Sequence, residues 1–214
     1  MAAAKHILGV ILAGGQARRM GGGDKGLADL GGTPMLSHVI ARFAPQVAHL
    51  ILNANGDPAR FAGFGLPVVP DLDARALGPM SGLAAAMDWA ANAPHDYTAI
   101  ATVTTDVPFI PVDLVANLAA AAEGGAAIAV SGDRRHPAIA LWPLSLSAAV
   151  ATALEANELS VNAFAARQAA IEVLFPFSET AGAAIDPFFN ANTSDDLETA
   201  RQLIARQRTV QPHE

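Results

Sequence analysis

Cysteine is absent from the 214 residues, which removes disulfides, thiolate metal sites and iron–sulfur clusters and gives no hint of secretion. Charge is scarce at 15% of residues and acidic on balance, 20 Asp and Glu against 13 Lys and Arg. No basic stripe exists for a nucleic acid to follow, so a general nucleic-acid binder is not expected. Long apolar runs are missing too. The alanine tracts are broken by charge or glycine before they reach a membrane-spanning length, and the start, Met1-Ala-Ala-Ala-Lys-His6, lacks the pattern of a signal peptide. A soluble, cytoplasmic chain is the expectation. Nor do the histidines gather into a ligand cluster, and no persuasive nucleophile–His–acid set occurs.

What remains is ample core material, 52% hydrophobic, enough for one domain. Strand-like runs alternate with helical patterns, which predicts a three-layer α/β/α Rossmann-like domain with a mostly parallel central sheet. Strands are expected at residues 7–12, 47–52, 66–69 and 97–103, with helices at 34–44, 58–62 and 77–93. Beyond them the pattern predicts helices at 111–122, 145–157, 160–167 and 195–208, and strands at 126–130, 138–142 and 171–175. Arg134-Arg135-His136 reads as a charged turn, and Thr193 or Ser194 as the cap of the last helix. No repeat or linker marks a boundary, so one domain is expected over 1–214. Its nucleotide-binding half would cover about 1–110 and its acceptor-binding half about 111–205, with a frayed tail.

The densest signal is Leu12-Ala-Gly-Gly-Gln-Ala-Arg-Arg-Met-Gly-Gly-Gly-Asp-Lys-Gly26. So much glycine after a buried strand lets the backbone curl its N–H groups around an anion, and Arg18, Arg19 and Lys25 add positive charge. A polyphosphate is the natural occupant. A Walker-type loop is excluded, because Lys25 is preceded by Asp24 and followed by Gly26 instead of Ser or Thr. Gly21 to Gly26 satisfies G-x-G-x-x-G on paper. That fingerprint must leave the strand directly and open a helix, and here it does neither.

Three more polar features fall at the carboxyl ends of predicted strands, where open α/β sheets bind ligands. They are Asn53, Asp71 and Asp106. Each has an ordinary explanation as a turn former or helix cap; together they point to one rim. Asp106, stiffened by Pro108 and Pro111, is suited to hold Mg2+ beside a triphosphate, since magnesium takes one or two carboxylates plus phosphate oxygens and water.

Leu12-Ala13-Gly14-Gly15, Arg19-Met20-Gly21 and Asp24-Lys25-Gly26-Leu27 together resemble the signature of nucleotidyltransferases that activate sugars and cofactors. The closest likeness is to the molybdenum cofactor guanylyltransferases, which join GMP from GTP to molybdopterin. Cytidylyl relatives read Leu-Ala-Ala-Gly, so Gly14 leans towards guanine. Gly78-Pro79-Met80-Ser81-Gly82 is similar to the family's Gly-Pro-Leu-Ala-Gly, Arg135-His136-Pro137 to a His-Pro pair, and Phe189-Asn190-Ala191-Asn192-Thr193 to Phe-x-Asn-x-Asn-Thr. The resemblance implies GTP contacts at Leu12, Ala13, Gly14, Gly15, Lys25, Asn53, Asp71, Gly78 and Asp106. It implies catalytic roles for Lys25, Arg19 and Asp106, with the metal at Asp106. Acceptor contacts fall on Arg135, His136, Asn190 and Asn192, although His136 itself reads as structural, not catalytic. Where relatives carry basic residues before a Val-x-x-Phe helix, this chain has Glu158-Leu159-Ser160, so Arg135 or Arg167 would have to hold the acceptor phosphate.

A magnesium-dependent, monomeric GTP:molybdopterin guanylyltransferase in transient contact with cofactor-insertion proteins or molybdoenzymes is therefore the leading expectation. Cytidylyl or sugar-phosphate transfer, and a non-catalytic GTP-binding delivery protein, stay open at this point.

Overall fold

The structure, a computed structural model, describes residues 3–13, 24–73, 78–180 and 183–210. Gly14, Gly15, Arg18 and Arg19, and with them most of the glycine-rich loop, lie outside the described residues. Seven strands form one sheet: β1 (Ile7–Leu12), β2 (His49–Asn53), β3 (Val68–Val69), β4 (Ala99–Thr104), β5 (Ala127–Ser131), β6 (Arg134–Pro143) and β7 (Ile171–Leu174). Their order is β3-β2-β1-β4-β6-β5-β7. All neighbours run parallel except the two pairs made by β6, so the sheet is mostly parallel as the alternation implied. A hairpin of β8 (Ser178–Thr180) and β9 (Ala183–Ile185) stands apart.

Every residue of β1 is buried, and its alternation assigns them to two cores. Ile7 and Ile11 join the cluster with Phe43, Leu114, Val115 and Leu118, on α1 (Met35–Phe43) and α3 (Leu114–Ala122). Leu8, Val10 and Leu12 join Met80, Leu83, Met87, Val150 and Phe164, on α2 (Pro79–Asn92), α4 (Ser147–Glu155) and α5 (Val161–Arg167). A strand apolar on both faces needs helices on both sides, hence three layers. A third cluster docks the last helix, α6 (Ser194–Val210), through Leu197, Ala200 and Ile204 onto Leu30, Met35 and Phe109. Thr193 caps α6 reciprocally: its Oγ1 accepts from Asp196 N (3.1 Å), while Asp196 Oδ2 accepts from Thr193 N (2.9 Å). The Thr193 side chain first, then the N–H groups of Thr193 and Asn192 and the charge of Lys25, hold the Asp196 carboxyl below its usual value against the opposing effect of burial.

One expectation needs correcting. Arg134, Arg135 and His136 are not a turn but the start of β6. The turn is the preceding Gly132-Asp133, between the paired residues Ser131 and Arg134, with Gly132 at φ +52°, the positive φ that two-residue hairpins favour. Charge misled the reading because this end of β6 extends past the paired part of β4, with Arg134 exposed and Arg135 and His136 half-buried. Segment 111–113 likewise stays outside α3, and the β8–β9 hairpin was not expected from the sequence.

Helix α2 approaches the sheet closely at Gly82, behind the ends of β1 and β2. A Cβ on Gly82 would lie 2.3 Å from Asn53 Oδ1 and 2.9 Å from Leu12 Cδ2. Gly82→Ala must therefore push Asn53 off its place and is expected to cost roughly 1–3 kcal/mol of stability. Urea denaturation of the variant against the parent measures this.

Candidate functional site

Parallel register places the ends of four strands in one row. Leu12 pairs with Asn53 on one side and with Thr104 on the other, and Asn53 pairs with Val69. The chain lays β2 and β3 to one side of β1 and β4 to the other, so this row marks the switch point where such sheets bind ligands. A cleft of about 230 Å3 opens there, lined by Leu12, Lys25, Asn53, Asn55, Asp71, Gly78, Pro79, Thr104, Thr105 and Asp106. A larger depression of about 800 Å3 lies by α3 and the end of β7. It carries only Arg42 and Asp113 as charged lining groups, without convergent polar side chains, so the smaller cleft is the better candidate.

One end of the cleft is ionic. Lys25 opens a short 3-10 turn, Lys25–Leu27. The buried Gly26 lets this turn close on the exit of β4, where a Cβ would sit 3.0 Å from Thr105 Cβ. Lys25 Nζ thereby reaches Asp106 Oδ2 at 2.6 Å. It also donates to Asn190 Oδ1 at 3.0 Å and to Asn192 Oδ1. Thr104 Oγ1 donates to the second Asp106 oxygen at 2.6 Å. Main chain completes the tie, Ala191 N donating to Asp106 O at 3.0 Å. All three N–H donors of the ammonium are engaged.

The other end is a carboxylate held by amides. Asn53 Nδ2 donates to Asp71 Oδ1 at 2.9 Å and to Val69 O at 3.1 Å. Asn55 clasps Asp71 twice: its Nδ2 donates to Oδ2 at 2.8 Å, and its Oδ1 accepts from Asp71 N at 2.9 Å. A carboxylate has about four acceptor positions, so two bonds leave it able to accept further donors.

The structure thus brings Leu12, Lys25, Asn53, Asp71, Gly78 and Asp106 to one cleft, with Asn190 and Asn192 at its ionic end. Ala13, buried, supports the row by donating to Asn53 O at 2.8 Å. Arg135 is turned to the sheet edge, its Nε 2.8 Å from Glu172, and Arg167 pairs with Glu158. His136 packs on Phe188 with ring centroids 4.8 Å apart and meets Ser131 Oγ through Nε2 at 2.9 Å. Sequence reasoning missed Asn55 and Thr104. The signal that could have found Asn55 is its spacing of two from Asn53 at the same strand end.

The model of the MobA-like NTP transferase domain matches residues 9–171. The chain belongs to that family. The family resemblance is thereby borne out over most of the chain. A molybdenum cofactor guanylyltransferase of Mesorhizobium japonicum is 45% identical over 205 residues, 94% of this chain and 97% of the relative. One of Bradyrhizobium is 46% identical over 201 residues, 92% of each. Among solved structures, molybdopterin-guanine dinucleotide biosynthesis protein A of Archaeoglobus fulgidus superposes with a TM-score of 0.67 at 19% identity, over 93% of this chain and 98% of that one. At that identity the likeness speaks for the fold.

The placement of His136 carries a pH signature in this family member. Burial disfavours the charged imidazole and lowers its pKa from 6.5; Asp186 opposes this and Arg134 adds to it. Between the folded value and 6.5 the unfolded chain binds more protons, so stability rises with pH. The contribution is complete above 6.5 and is lost as pH falls through the folded value. His136→Gln should therefore lose less stability than the parent between pH 7 and pH 5.5 in urea titrations.

Proposed function

We propose that this protein transfers GMP from GTP to the terminal phosphate of molybdopterin and releases pyrophosphate. The observation that carries the reading is the two-ended cleft, a lysine–carboxylate pair facing an amide-held carboxylate, in a chain 45% identical over most of its length to a molybdenum cofactor guanylyltransferase. An oxygen of the acceptor phosphate attacks the α-phosphorus of GTP, a new P–O bond forms, and the bond from the α-phosphorus to the bridging oxygen breaks. The attacking group is already an anion at neutral pH, so no side chain need take a proton. What the protein must do is hold two anions in line and offset charge as it moves to the leaving group.

At the base end, Asp71 accepts from guanine N1–H and the 2-amino group together. Adenine and cytosine cannot present that pair, and an unpaired acceptor penalises them. Asn53 and Asn55 aim the carboxylate beforehand. At the phosphate end, Lys25 meets the β- and γ-phosphates. A phosphate oxygen replaces a neutral amide oxygen on its ammonium, an exchange favoured because an anionic acceptor binds more strongly. Arg19 and the N–H groups at Gly14 and Gly15, from the loop that follows Leu12, add to the cradle.

Among the described residues no group of three His, Asp or Glu could hold a metal by itself. A site with Asp106 as its one protein carboxylate still suits Mg2+, which draws its other ligands from phosphate and water. The ion would supply charge neutralisation on the phosphates; Asp106 would hold it, with Thr104 and Lys25 orienting the carboxylate. Asn190 and Asn192, and less directly His136, face the acceptor. Arg135 would have to leave Glu172 to do so.

Lys25→Ala should lower kcat/KM by 10²–10³-fold, roughly 3 kcal/mol, and Asp106→Asn by a similar factor. Pyrophosphate release in the presence of each nucleotide and molybdopterin measures both. Asp71→Ala should collapse the preference for GTP over ATP and CTP while leaving some turnover. Unchanged preference would remove Asp71 from base recognition, and tight Mg–GTP binding without transfer would favour a delivery protein.

A further inference from the structure

Arg60 and Asp24 belong to neither end of the cleft, yet they join the two. Arg60 Nε lies 2.5 Å from Asp24 Oδ2, immediately before Lys25. Its Nη2 donates to the carbonyl of Asn55, and its Nη1 to that of Asp57 at 3.2 Å. Asn55 in turn holds Asp71 through its side chain. The guanidinium lies over the ring of Phe61, 4.7 Å from the centroid, and Phe61 is buried.

Local structure prepares this position. Asp57 caps a 3-10 turn, Pro58–Phe64, accepting from Ala59 N at 2.9 Å, which sets Arg60 over the preceding loop. Gly56 then leaves room. It sits at φ +83°, and a Cβ there would fall 2.9 Å from Arg60 Nη1. A side chain at position 56 would be strained and would displace the guanidinium. Both partners of the ion pair keep only about a quarter of their side chains exposed, 28% and 23%, so the pair is better shielded than an ordinary surface bridge. Reaching Asp24, Asn55 and Asp57 together uses the fork of an arginine; an ammonium on a flexible stem cannot do so.

We propose that Arg60 is a positioning residue that fixes the phosphate-binding turn at Asp24–Lys25 relative to the base-reading clamp at Asn55 and Asp71. GTP is then met by two preset ends, and binding at one end is coupled to binding at the other. The inference rests on the guanylyl-transfer reading of the cleft. A ligand long enough to touch both ends feels the link; one that reaches only the base end and the α-phosphate feels it less.

The test compares GTP with GMP by calorimetry in magnesium, on the full chain, for the parent, Arg60→Ala, Arg60→Lys and Asp24→Asn. Expected is a loss of GTP affinity of about tenfold in each variant, about 1.4 kcal/mol, at least threefold greater than the loss for GMP. Arg60→Lys should not recover the parent value, and the double variant Asp24→Asn/Arg60→Ala should be no worse than the poorer single one. Melting temperatures report folding separately. Parent-like GTP binding in Arg60→Ala, equal losses for GTP and GMP, full recovery with lysine, or additive losses would each overturn the link. If the parent itself fails to bind Mg–GTP, the guanylyl-transfer reading falls and takes this inference with it.

Discussion

One ammonium ties the chain together. Lys25 sits in a part-buried position, where an unpaired charge would be costly. Its three acceptors come from Asp106, at the end of β4, and from Asn190 and Asn192, which lie 165 and 167 residues beyond the lysine. That bond set brings the final segment of the chain to the rim of the sheet. Ala191, wholly buried between the two asparagines, turns its side chain into the core that α6 shares with Leu30 and Met35. The polar side of the segment meets the lysine while its apolar side pins the last helix. Packing and site geometry here are two faces of one short stretch.

The sheet and its ligand rim were legible because they follow from period and topology. A wholly apolar run such as Ile7–Leu12 has few structural options, and polar residues that end such runs must emerge at the same edge. Asn53, Asp71 and Asp106 were found that way, from position alone. What stayed hidden depends on distance in space. Asn55, Asp57 and Gly56 together read as loop chemistry, and nothing in a single sequence shows that Arg60 folds back over Gly56 to reach Asp24. The start of β6 was misread because Arg134 and Arg135 are charged, and charge argues for a turn only where the neighbouring strand ends as well. The β8–β9 strands have three residues each, too short to establish alternation.

The two ends of the cleft are built from different kinds of bond. At the Asp71 end, proposed to read the base, neutral amides grip a carboxylate through directional bonds, so its oxygens are aimed before a guest arrives. At the Lys25 end, proposed to hold phosphate, a lysine meets an aspartate and two amide oxygens, a set in which one acceptor can be exchanged for another. Recognition of a flat heterocycle needs fixed direction, whereas accommodation of a polyphosphate needs a held positive charge that can exchange a neutral acceptor for a phosphate oxygen. The residue types at each end match that difference.

The same division accounts for a site poor in acid–base machinery. In the proposed reaction both partners are phosphates, so the barrier lies in bringing anions together and in the charge that grows on the leaving pyrophosphate. Moving a proton would relieve neither. Charge placed beforehand relieves both, provided that it does not shift as the bond breaks. Lys25 meets this condition because its turn is closed on Thr105 at Gly26 and its ammonium is tethered to Asp106. In a chain whose net charge is −7, the effective cation is the one whose backbone and neighbours leave it no other place to go.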